Sequence, residues 1–435
     1  MKFSIQKSYK VMALTPAILG LGVLAMGSPA QADEVSELKA QLKVLQQRIE
    51  ALEKRPVETK VVAATGEMAA PAKPAQKGYF VIPGTETSLK IGGYAKLDAI
   101  YNDKSVADNS AGDQLFLAYT IPLDKDNPND DQTVLHARQT RFNVGTTTDT
   151  TYGKLNTFFE GDFFGTGTSA NTADFRVRHA FGELGRLLAG QTWSTFQIVD
   201  AVPDTLDFGG PAASTFMRQG QIRWTEPFAW GSVQFAVEDP SATLDNSAET
   251  DDDHVADMIA RVNCKSDYGS YSVAVMAREL SADDGAAVDD STWGGAVALG
   301  GKIPTFGKDD LRFQLHYGNA LGRYMATKFK DAAFNTTTGE LETFDQFGGF
   351  LAYRHFWFDN LRSNLVYSYA AADNDLSVVA DTVNKEFQSV HANLIWSPVP
   401  SVDLGIEYLH GYREIESGDE GELNRIQVSA TYNFF

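Results

Sequence analysis

The sequence predicts an all-β fold, a transmembrane antiparallel β-barrel of about sixteen strands preceded by a short N-terminal coiled-coil helix. Three observations support this prediction. From Tyr79 to the end of the chain, apolar and polar residues alternate with a period of two. The connections between these alternating runs are long and short in turn, as in outer-membrane barrels. The one strongly apolar segment, residues 11–26, stands at the N-terminus.

Length and composition set the limits of this interpretation. A chain of 435 residues can hold two or three soluble domains or one large barrel. Its hydrophobic content of 43% and mean hydropathy of -0.24 argue against a helical membrane protein. The single cysteine, Cys264, excludes an internal disulfide framework. A large sheet therefore has to hold the chain together.

Residues 1–32 have the pattern of a secretory signal peptide. Three lysines precede the apolar segment, and Ala30-Gln31-Ala32 forms a small-x-small cleavage site. The alternative is an N-terminal membrane anchor, but the apolar segment is short for a span. We therefore expect cleavage after Ala32.

The mature chain is predicted to begin with a periplasmic coiled-coil helix over residues 33–55, followed by a flexible linker over 56–77. The apolar residues of the helix recur at a and d positions of a heptad pattern: Val35, Leu38, Leu42, Leu45, Ile49 and Leu52. This narrow stripe favours self-association over docking on the chain's own domain. β-branched residues at a with Leu at d favour a two-stranded coiled coil. The helix alone therefore does not decide between a dimer and a trimer.

Residues 78–435 are predicted to form the barrel. Each alternating run has about nine or more residues, enough for a tilted strand to cross the hydrocarbon layer. The run near the C-terminus shows the pattern well, with Ile426 and Val428 opposite Gln427 and Ser429. Counting the runs places both ends of the barrel on the side of the short turns. The chain ends on an aromatic strand, Thr431–Phe435, which is usual in barrels of the outer membrane.

At about sixteen strands the interior is expected to be a water channel. In the strand beginning near Asp174, alternation places Arg176 and Arg178 on the water face, opposite Phe175, Val177 and Phe181. The same argument predicts a cationic lining of the pore, with anion-binding candidates on several strands: Lys96, Arg141, Arg176, Arg178, Arg223, Arg278 and Arg312.

The segment 196–217 is too long for a hairpin and is rich in Asp, Pro and Gly. We predict that it folds into the lumen as a constriction loop and faces the wall arginines with its acids, Asp200, Asp204 and Asp207. The alternative is that the arginines pair with wall carboxylates such as Glu160 and Asp162. The acids of the other long connections suit a solvated surface, cross-linked by divalent cations to lipopolysaccharide.

These features predict an outer-membrane porin for passive diffusion of small hydrophilic solutes, with a preference for anions. A barrel enzyme is the alternative from another class, but the seven histidines are scattered and none forms a convincing pair with a nucleophile. A receptor with a plug domain is disfavoured, because no plug-sized domain precedes the predicted barrel. An adhesin role of the outer loops stays open. We expect no catalytic residue, no cofactor, no metal and no nucleic-acid partner.

Four segments, Arg138–Arg141, Leu188–Phe196, Asn360–Tyr369 and the terminal Tyr432–Phe435, resemble those of the DcaP-like outer-membrane porins. The resemblance covers nearly the whole chain. It implies a homotrimer of barrels with a periplasmic coiled coil in the Gram-negative outer membrane. It also implies uptake of dicarboxylates or other small organic anions, with Arg176, Arg178 and Arg223 as wall contacts by position. A phosphate or general anion porin is the alternative, although those pores are rich in lysine and arginine predominates here.

Overall fold

A computed structural model describes Lys43 and residues 78–105, 111–126, 131–165, 173–245, 254–283 and 288–434. The predicted signal peptide, coiled-coil helix and linker lie outside these residues, apart from Lys43, which is helical and exposed. Among the described residues, no helix is both long enough and apolar enough to cross a membrane.

The described strands are numbered in chain order: β1 (Phe80–Val81), β2 (Thr87–Asn102), β3 (Gln132–His136), β4 (Arg141–Thr150), β5 (Gly153–Asp162), β6 (Arg176–Leu184), β7 (Leu187–Trp193), β8 (Arg218–Phe228), β9 (Gly231–Glu238), β10 (Leu244–Asp245), β11 (Asp257–Ser266), β12 (Gly269–Asp283), β13 (Asp289–Pro304), β14 (Asp310–Gly318), β15 (Ala332–Asn335), β16 (Glu340–Thr343), β17 (Asp345–Phe358), β18 (Leu361–Asp373), β19 (Asn384–Val399), β20 (Val402–Ile415) and β21 (Glu420–Asn433). One short helix, α1 (Ala111–Gln114), and three 3₁₀ turns at Ala118–Thr120, Asp124–Asp126 and Val199–Ala201 complete the described elements.

Sixteen antiparallel strands close into a barrel, which confirms the predicted fold class. β3 and β4 count as one strand, because both pair with β2 on the same side. β2 closes the barrel, since its second half also pairs with β21 in the register Leu97↔Ala430. Both ends of the barrel lie at the rim of the short turns, as predicted. We call this rim the short-turn end and the opposite rim the long-loop end.

Alternation along each strand separates an apolar outer face from a polar inner face. In β21 the side chain of Val428 is 50% exposed, whereas that of its neighbour Gln427 is 2% exposed. The inner-facing residues are buried because loops fill part of the interior, not because the wall is covered from outside. A barrel in lipid needs this arrangement, since every backbone group is paired and the outer side chains are apolar.

The wall is uneven in height. Strands β4 to β9 and β11 have at most 11 residues, and β7 and β9 have only 7 and 8, fewer than predicted. Strands β12, β13 and β17 to β21 have 13 to 16 residues. The long strands extend into segments that the sequence indicated as loops, because hairpin pairing continues beyond the membrane layer.

The long connections pack together at the long-loop end. β10, β15 and β16 form a second, three-stranded sheet outside the barrel wall. Its apolar side chains, Leu244, Phe334 and Leu341, are buried with Leu280 at the end of β12. The loops are therefore a packed layer with a small core of its own.

Apolar side chains from three connections also enter the barrel. Phe116, Phe196 and Phe329 come from different loops and are buried in one cluster with Phe387 of β19. Glycines on the inner face make room for them: a Cβ on Gly411 would lie 2.7 Å from the Phe116 ring. Part of the interior is thus a packed core, whereas the sequence predicted a water channel narrowed by one loop.

Candidate functional site

The inner loop, defined here as residues 194–217 between β7 and β8, crosses the barrel interior. The N–H groups of Leu206 and Asp207 donate to the carboxylate of Glu407 on β20, over 2.7 and 3.1 Å. The N–H of Ala212 donates to the Ser389 hydroxyl on β19. Because β19 and β20 lie far round the barrel from β7 and β8, the loop predicted to fold inward does so.

Asp207 anchors the inner loop. Its carboxylate accepts hydrogen bonds from the N–H groups of Phe116 and Gly209, each 2.8 Å long, and from Arg425 of β21 over 2.6 Å. Burial alone would raise the pKa of Asp207, but the Arg425 guanidinium and these N–H donors outweigh burial and lower it. Asp207 is therefore a buried structural carboxylate, which corrects its placement in the pore eyelet.

Asp204 is the loop carboxylate that faces wall arginines. Its Oδ2 accepts a 2.7 Å hydrogen bond from Arg362 Nε and lies 4.0 Å from an Arg354 nitrogen. Both arginines stand near the short-turn end of β17 and β18, at positions where strand alternation predicts polar side chains inside the barrel. Asp200, in the turn Val199–Ala201, is exposed. Among the three loop acids, Asp204 is thus the one that pairs with wall arginines near the short-turn end.

The arginine cluster, defined as Arg141, Arg176, Arg178 and Arg218, lies on the wall at the start of the inner loop. A β-bulge shapes it: the pairing of β5 with β6 slips between Glu160 and Gly161. The extra residue is Arg178, which points inward together with Arg176. A bulge of this kind re-aims side chains beside functional sites.

The bulge also moves Phe181 to the inner face, where it pairs with Phe158 of β5. The prediction that Phe181 faces lipid is wrong for this reason. A slip of one residue reverses every side chain that follows it in the strand. Phe175 and Val177 precede the slip and are exposed on the outer face, as predicted.

Wall carboxylates partly neutralise the arginine cluster. Arg176 binds Asp162 through two hydrogen bonds of 3.0 and 2.8 Å, a bidentate arrangement. Arg178 bridges Glu160 and Asp162, with both bonds 2.8 Å long. The alternative in which the lumen arginines pair with Glu160 and Asp162 therefore describes these two correctly.

The remaining members of the cluster are less compensated. Arg141 comes within 3.7 Å of Glu160, and its Nε is buried without a hydrogen-bond partner. Arg218 forms no ion pair in the described part of the chain, and its Nη1 is likewise unsatisfied. Four guanidiniums thus face two carboxylates, Glu160 and Asp162, so the set has a formal charge of two positive.

Aromatic rings separate the guanidiniums. Phe208 of the inner loop lies 5.4, 5.8 and 5.2 Å from the guanidinium carbons of Arg141, Arg176 and Arg178. Arg218 stacks on Trp193 at 4.6 Å and on Phe216 at 5.3 Å. Cation–π contacts hold such cations without neutralising them, so the less compensated Arg141 and Arg218 remain available to an anion. Arg178 is fully buried and serves to hold the wall together.

The other predicted pore residues have different surroundings. Arg278 is fully buried, bound to Asp257 and Asp331, and does not line an open lumen. Lys96 is 5% exposed and donates to the Leu206 carbonyl, so it holds the inner loop. The structure therefore corrects the prediction that Arg278 and Lys96 line the pore. Strand alternation places a side chain inside the barrel but does not tell whether a loop covers it.

Two further candidates remain in the interior. Arg312 of β14 forms a 2.7 Å bond with Asp310 and also donates to the Val202 carbonyl of the inner loop. Arg223 of β8 forms no ion pair among the described residues, and its Nε is buried without a partner.

Sequence reasoning missed Arg218, Arg354 and Arg425. Arg354 and Arg425 stand at polar positions of alternating runs, which was the available signal. Arg218 joins the inner loop to β8, where alternation gives no guide.

A sequence model of the DcaP outer membrane protein family matches residues 23–434. The chain belongs to that family. Among solved structures, the chain is similar to the outer membrane channel DcaP of Acinetobacter baumannii, with a TM-score of 0.73 and 21% identity over 82% of this chain and 99% of that one.

Two other solved structures show the same fold at lower similarity. The anion-selective porin from Comamonas acidovorans has a TM-score of 0.54 and 14% identity, over 80% of this chain and 100% of that one. OmpT of Vibrio cholerae has a TM-score of 0.54 and 10% identity, over 82% and 100%. A search of curated protein sequences found no match. The DcaP family and the barrel fold indicate a porin-like channel of the outer membrane.

Proposed function

We propose that this DcaP-family protein is a passive pore for small hydrophilic solutes that prefers anions, dicarboxylates among them. The observation that carries the proposal is the arginine cluster, with four guanidiniums against two carboxylates beside the inner loop. An excess of fixed positive charge inside a low-dielectric wall raises the local concentration of anions.

Dicarboxylates suit the spacing of the cluster. Arg141 and Arg176 are partly exposed and both lie within 6 Å of the Phe208 ring, so two carboxylates of one small ligand can contact different guanidiniums. Guanidinium groups bind carboxylates through paired N–H donors, which favours carboxylate over a spherical anion such as chloride. The proposal involves no catalytic residue and no cofactor.

The test is ion selectivity in a planar bilayer. In a KCl gradient, the reversal potential of the wild type should report chloride over potassium. Arg218→Gln removes a charge with no acid partner in the described chain, so we expect a smaller chloride preference and block by succinate weakened about tenfold. Arg176 and Arg178 are poorer targets, because each binds the buried Asp162 and its loss would also weaken the wall.

Lys308→Gln is the charge-matched control, since Lys308 lies in the exposed turn between β13 and β14 and pairs with Asp359. Its chloride preference should equal that of the wild type. A wild-type pore that prefers potassium would overturn the proposal. Block by phosphate stronger than block by succinate would favour the alternative of a phosphate pore.

We also propose a homotrimer in the outer membrane, with the predicted coiled coil in the periplasm. The support is the low wall formed by β4 to β9 and β11. Seven residues in β7 are too few for a tilted strand to cross the hydrocarbon layer. Exposed apolar side chains on this wall, including Phe159, Ile222 and Trp224, suit contact with other copies. Light scattering of the detergent-solubilised protein should give three chains per complex, and a monomer would contradict the proposal.

Lipopolysaccharide is the proposed lipid partner at the long-loop end. The acids of the long connections would bind divalent cations that bridge to its phosphates. Removal of divalent cations with a chelator should then lower the amount of lipopolysaccharide that copurifies with the protein, and an unchanged amount would contradict this contact.

A further inference from the structure

The geometry points to a second anion-binding subsite inside the pore, which takes small hydroxylated monocarboxylates. It lies on the short-turn side of the inner loop, away from the arginine cluster. The inference rests on the proposed function, because a ligand reaches this subsite only through an open pore.

The subsite is a cavity of about 220 Å³ between the inner loop and the wall of β9, β11 and β12. Lys265 and Ser270 flank the short turn between β11 and β12, which places the cavity near the short-turn end. Its polar lining comes from the inner loop and three wall strands: Asp200, Ser232, Arg261, Asn263, Lys265, Ser270 and Ser272.

Arg261 is the central cation of this cavity. Its Nε donates to Gln234 Oε1 over 2.9 Å, and its Nη1 donates to the Gln197 carbonyl over 2.6 Å. Both acceptors are neutral, and no ion pair to a carboxylate forms in the described regions. The guanidinium is therefore positioned by the protein without being neutralised, and Nη2 has no hydrogen-bond partner within the described structure.

The surroundings of Arg261 add to the positive charge. Arg223, a like-charged neighbour of Arg261, has a buried Nε without a partner. Lys265 is exposed and forms no ion pair with the described residues. The cavity lining sets two cations, Arg261 and Lys265, against one carboxylate, that of Asp200, while Glu238, which does not line the cavity, interacts electrostatically with Arg223 and Arg261. An excess of positive charge at the wall of a narrow pore recruits an anion.

The neutral groups of the cavity decide what kind of anion fits. The Ser272 hydroxyl donates to Asn263 Oδ1 over 2.8 Å, and Asn263 Nδ2 donates to the Ser232 hydroxyl over 3.2 Å. This leaves the Ser232 hydroxyl free to donate to a ligand. Hydroxyls and an amide replace the aromatic rings that surround the arginine cluster.

Asp200 restricts the class of ligand that fits the cavity. Its carboxylate can accept hydrogen bonds from ligand hydroxyls but repels a second ligand carboxylate. A ligand with one carboxylate on Arg261 and hydroxyls toward Asp200 and Ser232 satisfies all three groups. The subsite therefore suits a sugar acid better than a dicarboxylate, whereas the arginine cluster suits the dicarboxylate.

The test is single-channel block in a planar bilayer, with gluconate, acetate, succinate and glucose as probes. Arg261→Gln and Lys265→Gln should each weaken gluconate block by about tenfold, the size expected for a lost charge-assisted hydrogen bond. Lys265 has no described partner, so its replacement keeps the fold intact. Arg218→Gln is the matched control at the other site, and it should leave gluconate block within about twofold while weakening succinate block.

Two further readouts locate the site. Gluconate added from the short-turn side should block with a faster on-rate than gluconate added from the long-loop side. Asp200→Asn should strengthen succinate block, because it removes the repulsion. The subsite is overturned if acetate blocks as well as gluconate, or if Arg261→Gln and Lys265→Gln weaken gluconate and succinate equally. These outcomes differ from failure of the proposed function, which a potassium-selective wild type would show.

Discussion

Removing the Asp207 carboxylate should release the middle of the inner loop. Arg425 is fully buried, and without Asp207 its remaining acceptors are Asn102 Oδ1 and the Gly112 carbonyl. Loss of one partner from a buried ion pair costs about 3 to 5 kcal/mol. A cost of about 3 kcal/mol corresponds to roughly a hundredfold larger population of the open loop. The loop should open locally, because the barrel strands do not depend on Asp207.

Hydrogen exchange of detergent-solubilised protein measures this opening. In Asp207→Ala, amide protection should fall in the segment around Leu206 to Gly209 and in the segment around Phe116, whose N–H loses its acceptor. Open-channel current noise should rise in the same variant. Asp359→Asn serves as the control, since Asp359 is an exposed carboxylate in the short turn between β17 and β18, away from the inner loop. Unchanged protection at both segments together with wild-type noise would refute the anchoring role of Asp207.

Two further predictions concern the same anchor. Because folding lowers the pKa of Asp207, its stabilisation of the loop is fully present above the ordinary aspartate pKa of about 3.9 and is lost as the pH falls through the pKa of the folded state. Current noise should therefore rise only below about pH 4. Noise independent of pH down to the point of unfolding would contradict this. Gly209→Ala should displace the loop that carries Phe116, because the added Cβ would lie 1.8 Å from the Phe116 carbonyl oxygen, and protease cleavage in residues 111–126 should accelerate. Gly220→Ala is its control, since a Cβ there meets no atom within 4 Å, and equal cleavage of the two variants would exclude the steric cause.

The barrel could be predicted from the sequence because its signal is local and repeated. Alternation of residues such as Gln427 and Val428 depends only on which side of one strand meets water. The inward course of the inner loop also followed from its length and its position between two strands. Arg178 was assigned to the correct face, but Phe181 was not, because a bulge inserted between them has no mark in the residue pattern.

Burial inside the lumen could not be predicted in the same way. Arg278 and Arg176 occupy equivalent inner-facing positions in the sequence, yet one is sealed beneath the loops and the other is partly exposed. The difference lies in contacts with residues far along the chain, such as Asp331 for Arg278. The pairing of Asp207 with Arg425, which joins segments 218 residues apart, is of the same kind.

By itself the sequence determined the sixteen-strand barrel, its apolar outer face and the rim that holds both barrel ends. These properties follow from periodicity and connection length, which act within one strand and one turn. Only the tertiary structure decided which interior cations stay uncompensated and which hold a loop in place. A cation's role depends on the carboxylates and carbonyls that distant loops bring within about 4 Å of it, and that distance is set by packing across the whole barrel.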